Sequence, residues 1–170
     1  MRIVNVLLPL LCSAALVAAD DGFVAVAGGI HYPNADVRDR LDNNIGMHLN
    51  VGVGAYETAL VGCPSFEMDW GHITGRGSRL DSFGGYYCER MNLQQGVYVG
   101  AGGGLVWNRL TLSTDSGGDG GQSSSLRPSL RGMIGMSFGR QYFIEAAAFY
   151  NGAVNGIDAN ALALLAGIKF

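Results

Sequence analysis

The stretch ALALLAGIKF, residues 161–170, decides how this chain is read. Counting back from Phe170 in steps of two gives Ile168, Ala166, Leu164 and Leu162, an unbroken apolar row. The alternate positions, Lys169, Gly167, Leu165, Ala163 and Ala161, are smaller and include a charge. Side chains of an extended strand alternate between its two faces. A period of two therefore predicts a β-strand with one wholly apolar face.

Working outward, the same alternation recurs in seven earlier segments. Val24, Val26, Gly28, Ile30 and Tyr32 share a face over 23–32. Ile45, Met47, Leu49, Val51, Val53 and Ala55 alternate with Gly46, His48, Asn50, Gly52, Gly54 and Tyr56. Phe66, Met68, Trp70 and His72 alternate with Glu67, Asp69, Gly71 and Ile73. Residues 80–90 form a weaker segment whose register the pattern does not fix. Val97 to Trp107 at odd positions oppose Tyr98, Gly100, Gly102, Gly104, Val106 and Asn108. Leu130, Ile134, Met136 and Phe138 oppose Arg127, Ser129, Arg131 and Ser137. Tyr142, Ile144, Ala146, Ala148 and Tyr150 oppose Phe143, Glu145, Ala147 and Phe149. Each segment is near the roughly 9–11 residues that a tilted strand needs to cross a bilayer's hydrocarbon.

The N-terminus reads as an export signal. Arg2 is followed by an apolar run from Ile3 to Val17, then by Val17-Ala18-Ala19 at a cleavage position. Residues 1–19 are thus expected to be a signal peptide, and residues 20–170 one domain. The net charge is −3 with no basic block, so nucleic acid is not an expected partner. Hydrophobic residues make up 48% of the chain, spread by alternation among 27 glycines, with no segment after 19 as long as a membrane helix. Cys63 and Cys88 would survive cleavage. An even number in an exported chain fits one disulfide, with two unbonded thiols as the alternative.

Connections and aromatics show a second regularity. With the N-terminus placed on the inner side, the outer connections are 33–44, 75–79, 113–125 and 151–157. The inner turns are 57–65, 91–96 and 139–141. Residues 113–125 (STDSGGDGGQSSS) are low-complexity and polar, and are expected to form a flexible outer loop. Tyr32, Trp107 and Tyr150 fall near the outer rim of the apolar face; Phe66, Phe138, Tyr142 and Phe170 fall near the inner rim, with Trp70 between. Two aromatic belts are what a membrane interface favours.

These features resemble the small eight-stranded bacterial outer-membrane β-barrels of the OmpA transmembrane domain, OmpX and Opa type. The resemblance covers the chain after residue 19 and rests on architecture and the terminal strand. It implies an all-β fold: an eight-stranded antiparallel up-and-down transmembrane β-barrel in the outer membrane. It implies that the last strand, with Phe170, Ile168, Leu164 and Leu162, is the signal read by the barrel-assembly machinery. Expected partners are outer-membrane lipids and lipopolysaccharide, with that machinery and periplasmic chaperones during biogenesis. An extracellular ligand would meet loops 33–44 and 113–125.

The charges on the inner face are Glu67, Asp69, Arg127, Arg131, Glu145 and Lys169. An eight-stranded barrel is only wide enough for side chains to fill. Opposite charges there are expected to pair across the interior, because an unpaired buried charge costs several kcal/mol. A small channel is the competing reading. Gly100-Ala101-Gly102-Gly103-Gly104 lacks the spacing of a nucleotide loop; inward glycines instead leave room for larger neighbours. No cofactor and no metal-ligand spacing is apparent. Some small outer-membrane barrels modify lipid A or phospholipids, with a histidine beside a serine and an acid. The nearest motif is His72-Ile73-Thr74, with threonine for serine. Asp81-Ser82 and Asp115-Ser116 occur, but the sequence places no histidine beside either. The expected role is structural and interactive, with the lipid-modifying enzyme as the alternative.

Overall fold

The computed structural model describes residues 22–55, 63–113 and 120–170. The expected signal peptide, most of the first inner turn and the Asp115-Ser116 pair lie outside these residues. The described elements are β1 (Gly22–Pro33), α1 (Ala35–Leu41), β2 (Gly46–Ala55), β3 (Cys63–Gly75), β4 (Ser78–Asn92) and β5 (Val97–Leu112). They continue with β6 (Gly121–Phe138), β7 (Tyr142–Tyr150), β8 (Ala153–Val154), β9 (Ile157–Asp158) and β10 (Ala161–Lys169).

Eight strands close into one antiparallel barrel in the order β1-β10-β7-β6-β5-β4-β3-β2, and β8 and β9 form a separate small hairpin. The seam is the pairing of β1 with β10, from Ala25 opposite Lys169 to Pro33 opposite Ala161. Phe170 completes it. Its N–H donates to Val24 O at 2.8 Å, and its carbonyl accepts from Val24 N at 3.1 Å. Closure leaves no sheet edge within the barrel wall, which a lipid-exposed backbone requires.

The alternation seen in the sequence sets which side chains face out. Leu49, Phe66, Leu130, Ile144 and Leu164 are exposed, while their strand neighbours are buried. Phe170, at 74% exposed, continues that outer face at the inner rim. The register of β4 is now fixed: Ser82, Tyr86, Cys88 and Arg90 point inward and Phe83, Tyr87 and Met91 outward. Trp70 does not lie between the belts. It stacks on Phe83 (centroids 6.0 Å apart), which stacks on Trp107 (5.7 Å), so the three rings form one cross-strand ladder.

The outer connections differ from a set of polar loops. Residues 33–44 hold α1, capped by the Asn34 side chain on Val37 N, with Val37 and Leu41 fully buried. These two pack with Ile73, Leu80, Leu110, Val154, Ile157 and Ala159, an apolar plug in the outer mouth. The loop 75–79 shrinks to the two-residue turn Arg76-Gly77 (φ 49° and 71°), the positive-φ turn that suits a tight hairpin. Asn155-Gly156 (φ 52° and 74°) makes the same turn between β8 and β9. The expected flexible loop 113–125 is corrected at its end, 121–125, while residues 114–119 lie outside the described residues. Gln122 to Ser125 belong to β6, paired with Thr111 to Asn108 of β5. Backbone pairing across a hairpin overrides a polar composition where both strands already run in register.

Candidate functional site

The polar residues of the barrel meet in its lumen. Arg131, at 2% exposed, is among the largest fully buried side chains. It enters from β6 and reaches three carboxylates: Glu67 Oε2 at 2.5 Å, Asp69 Oδ2 at 2.9 Å and Glu145 Oε1. Arg90 enters from β4 and joins Glu67 to Glu145, the latter at 3.0 Å, with Ser65 Oγ at 2.8 Å. Tyr98 donates to Glu145 Oε2 at 3.0 Å. Asn50 donates to both Glu67 (3.0 Å) and Asp69 (3.1 Å). Arg131 also lies over the Phe149 ring at 5.2 Å and Arg90 over Tyr98 at 5.7 Å. Charges this deep persist because nearly every oxygen has a donor and each guanidinium bridges two or more acids.

Two histidines extend the network toward the outer end. His48 Nε2 lies 2.7 Å from Asp69 Oδ1, and His48 Nδ1 lies 3.3 Å from His31 Nδ1. Their ring centroids are 5.6 Å apart with planes 16° from parallel, so the rings meet nitrogen to nitrogen. Gly71 makes this possible: a Cβ there would sit 2.8 Å from His31 Cε1. Gly52 serves Glu67 in the same way, at 3.0 Å from its Cγ.

Layers above and below complete the filling. Above, Tyr86 OH meets Ser129 Oγ (2.8 Å) and Asn151 Oδ1 (3.2 Å), and Ser82 donates to Asn108 (2.7 Å). The apolar plug under α1 lies beyond them. Below, the Lys169 ammonium sits among the rings of Phe23 (5.2 Å), Phe143 (5.5 Å) and Tyr98 (5.8 Å).

Four of the sequence-derived interior charges, Glu67, Asp69, Arg131 and Glu145, therefore come together. Arg127 does not: it is exposed near the outer end of β6, beyond the last β7 pairing of Leu130 with Tyr150. Arg90 was missed because the β4 register was open. His31, His48 and Asn50 were signalled by their parity on β1 and β2, although they are neutral or weakly basic. The Cys63–Cys88 disulfide is not formed. Cys88 lies directly opposite Ser65, and Cys63 opposite Arg90, which makes the cysteines a diagonal pair. Diagonal Cα atoms are about 7–8 Å apart, beyond the usual disulfide span of up to about 6.8 Å.

The histidine motif is also corrected. The strand register sets His72 opposite Asp81, with Nδ1 2.7 Å from Oδ1, on the outer face. Ser82, next in sequence, faces the lumen instead. Thr74 Oγ1 is donated to Ser78 O at 3.1 Å. Among the described residues, no group of three or more metal-ligating side chains is gathered.

A closed barrel with a polar, side-chain-lined lumen and an apolar exterior defines the fold: a small, eight-stranded antiparallel β-barrel. Solved structures carry the same fold. The chain is similar to Neisserial surface protein A (TM-score 0.58, 15% identity, 87% of this chain and 95% of that one). It is similar to the attachment invasion locus protein Ail of Yersinia pestis (0.63, 10% identity, 88% and 99%), solved with the heparin analogue sucrose octasulfate. It is also similar to the N-terminal barrel domain of Pseudomonas aeruginosa OprF (0.62, 11% identity, 88% and 98%). No protein-family model matches the chain, and no curated protein matches its sequence.

Proposed function

We propose that the protein is exported by cleavage of residues 1–19 and resides in the outer membrane as a closed, structural barrel that presents a small outer surface. The observation that carries this reading is the filled lumen: an apolar plug, a polar layer, an ion-pair network and an aromatic-caged lysine, one beneath another. Such an interior supports a wall-forming role over a wide aqueous channel. Lipopolysaccharide and phospholipids would surround it, and chaperones and the assembly machinery would read its last strand. An external partner would meet α1 and the end of the β5–β6 hairpin. The lipid-modifying alternative has its His72–Asp81 pair at the rim, but Ser82 faces the lumen and the Thr74 hydroxyl is bonded to Ser78 O.

The test is electrical and physiological together. Purified mature protein in planar bilayers should give no steady porin-sized current. Cells lacking it should become more sensitive to detergents. Stable large currents would overturn the closed-barrel reading. A loss of lipid A acyl modification on deletion, dependent on His72, would favour the enzyme.

A further inference from the structure

Two acids flank the apolar outer face of β4, and their surroundings differ. Asp81, toward the outer rim, is held by His72 (2.7 Å), Arg79 (3.8 Å) and Trp70 Nε1 (3.4 Å). Glu89, toward the inner rim, has no cation within 4 Å among the described residues. Its Oε1 accepts from Tyr87 OH, and its Oε2 is buried without a hydrogen-bond partner. Its cross-strand neighbours are Pro64 and Ala101, which have no side-chain donor. Eight residues separate the two acids. That is about 27 Å along a strand, or about 20 Å of membrane depth at the usual tilt, close to the height of a barrel's apolar band. Each acid thus sits at one edge of the band, where headgroups begin.

Immediately above Glu89 the outer wall is indented. A groove of about 530 Å³ runs between Val53, Phe66 and Met68 on one side and Leu105 on the other. Its floor is glycine. A Cβ on Gly85 would meet nothing within 4 Å, and one on Gly103 only Leu130 Cδ2 at 3.8 Å. Space there is not needed for packing within the barrel, unlike the space at the inward glycines. The groove's foot is the Phe66–Tyr87 ring pair, with centroids 5.2 Å apart, and Tyr87 in turn holds Glu89. The lining of this apolar groove therefore ends at Tyr87, and the acid that Tyr87 holds lies at the next outward position of β4, without a cation partner among the described residues.

We propose that this groove and Glu89 form a binding site for a phospholipid with an ammonium headgroup, in the leaflet on the side of the chain termini. One acyl chain lies over Gly85 and Gly103, and the ammonium pairs with the Glu89 carboxylate that Tyr87 orients. The charge complement selects the lipid: a carboxylate at the edge of a low-dielectric band repels an anionic phosphatidylglycerol head and attracts phosphatidylethanolamine.

The experiment uses the refolded mature barrel in nanodiscs containing equal phosphatidylethanolamine and phosphatidylglycerol, with retained lipid read by native mass spectrometry. Wild type should retain phosphatidylethanolamine with a preference of about five-fold, the scale of a partly exposed ion pair. E89Q should bring that preference to parity, and E89K should invert it. G103L should lose retained lipid of either kind. A measurement on wild type alone guards against misfolded variants: N-acetylated phosphatidylethanolamine, which lacks the ammonium, should be retained no better than phosphatidylglycerol. Equal retention of all three lipids by wild type, or an unchanged preference in folded E89Q, would overturn the site. Neither result bears on whether the lumen is closed.

Discussion

Arg131 touches Glu67, Asp69 and Glu145 at once, so its removal leaves Glu67 and Glu145 sharing Arg90 and leaves Asp69 with His48 and Asn50. Arg131→Met keeps the volume and deletes the charge. It should destabilise the barrel by about 3–5 kcal/mol, the cost of breaking a buried pair, as measured by urea unfolding in detergent or liposomes. The cysteines give a second residue-scale outcome: unfolded, unreduced mature protein should titrate two thiols, at Cys63 and Cys88. A titre of zero would restore the disulfide. The interior acids and Arg131 were legible because strict alternation on β3, β6 and β7 assigned each a face. Arg90 was not, because both faces of β4 mix polar and apolar residues. Its inward set is Ser82, Tyr86, Cys88 and Arg90; its outward set includes Arg79, Asp81, Phe83 and Tyr87. Period two carries no sign when neither face is uniform. The disulfide reading rested on the same open register, since cross-strand position depends on a pairing the pattern did not fix.

At the scale of elements, β10 closes the wall by pairing with both β1 and β7. Phe170 adds a reciprocal pair of backbone bonds to Val24 and the last exposed ring of the inner belt. Deleting it should lower the fraction of protein that assembles in cells. The unfolding free energy of the molecules that do assemble should change much less. Heat-modifiable migration on gels gives the first quantity and urea unfolding the second. Equal assembly with and without Phe170 would remove its role as a signal. The strands themselves were legible, because their outer faces must be apolar along the whole band. The outer connections were less so. Within residues 33–44 only Val37 and Leu41 become fully buried, too few to reveal a periodic helix. The serines of 122–125 are strand only because β5 opposite them is.

For the whole molecule, described side chains occupy the lumen at several depths rather than at one constriction. The plug around Leu41, the tier at Asn108 and Asn151 and the ion pairs lie one beneath another, above a cavity of about 420 Å³ at the inner mouth lined by Phe23, Arg90, Tyr98 and Lys169. Arg131→Met should therefore weaken the fold without opening a pore, and planar bilayers should stay silent for the variant as for wild type. A current appearing in this variant would show that the ion pairs alone hold the lumen shut.

The origin of the paired charges bears on how the barrel reaches its final state. Glu67 comes from β3 and Glu145 from β7, whereas Arg90 comes from β4 and Arg131 from β6. Neighbouring strands can satisfy Arg90 with Glu67, and Arg131 with Glu145, in an open sheet. The crossing contacts, Arg131 to Glu67 and Arg90 to Glu145, exist only when the sheet has curled around on itself. A half-curled intermediate would carry these four groups incompletely compensated into the hydrocarbon. Insertion and curling should then be cooperative, with partly closed forms scarcely populated, and the ions would act as a latch on topology.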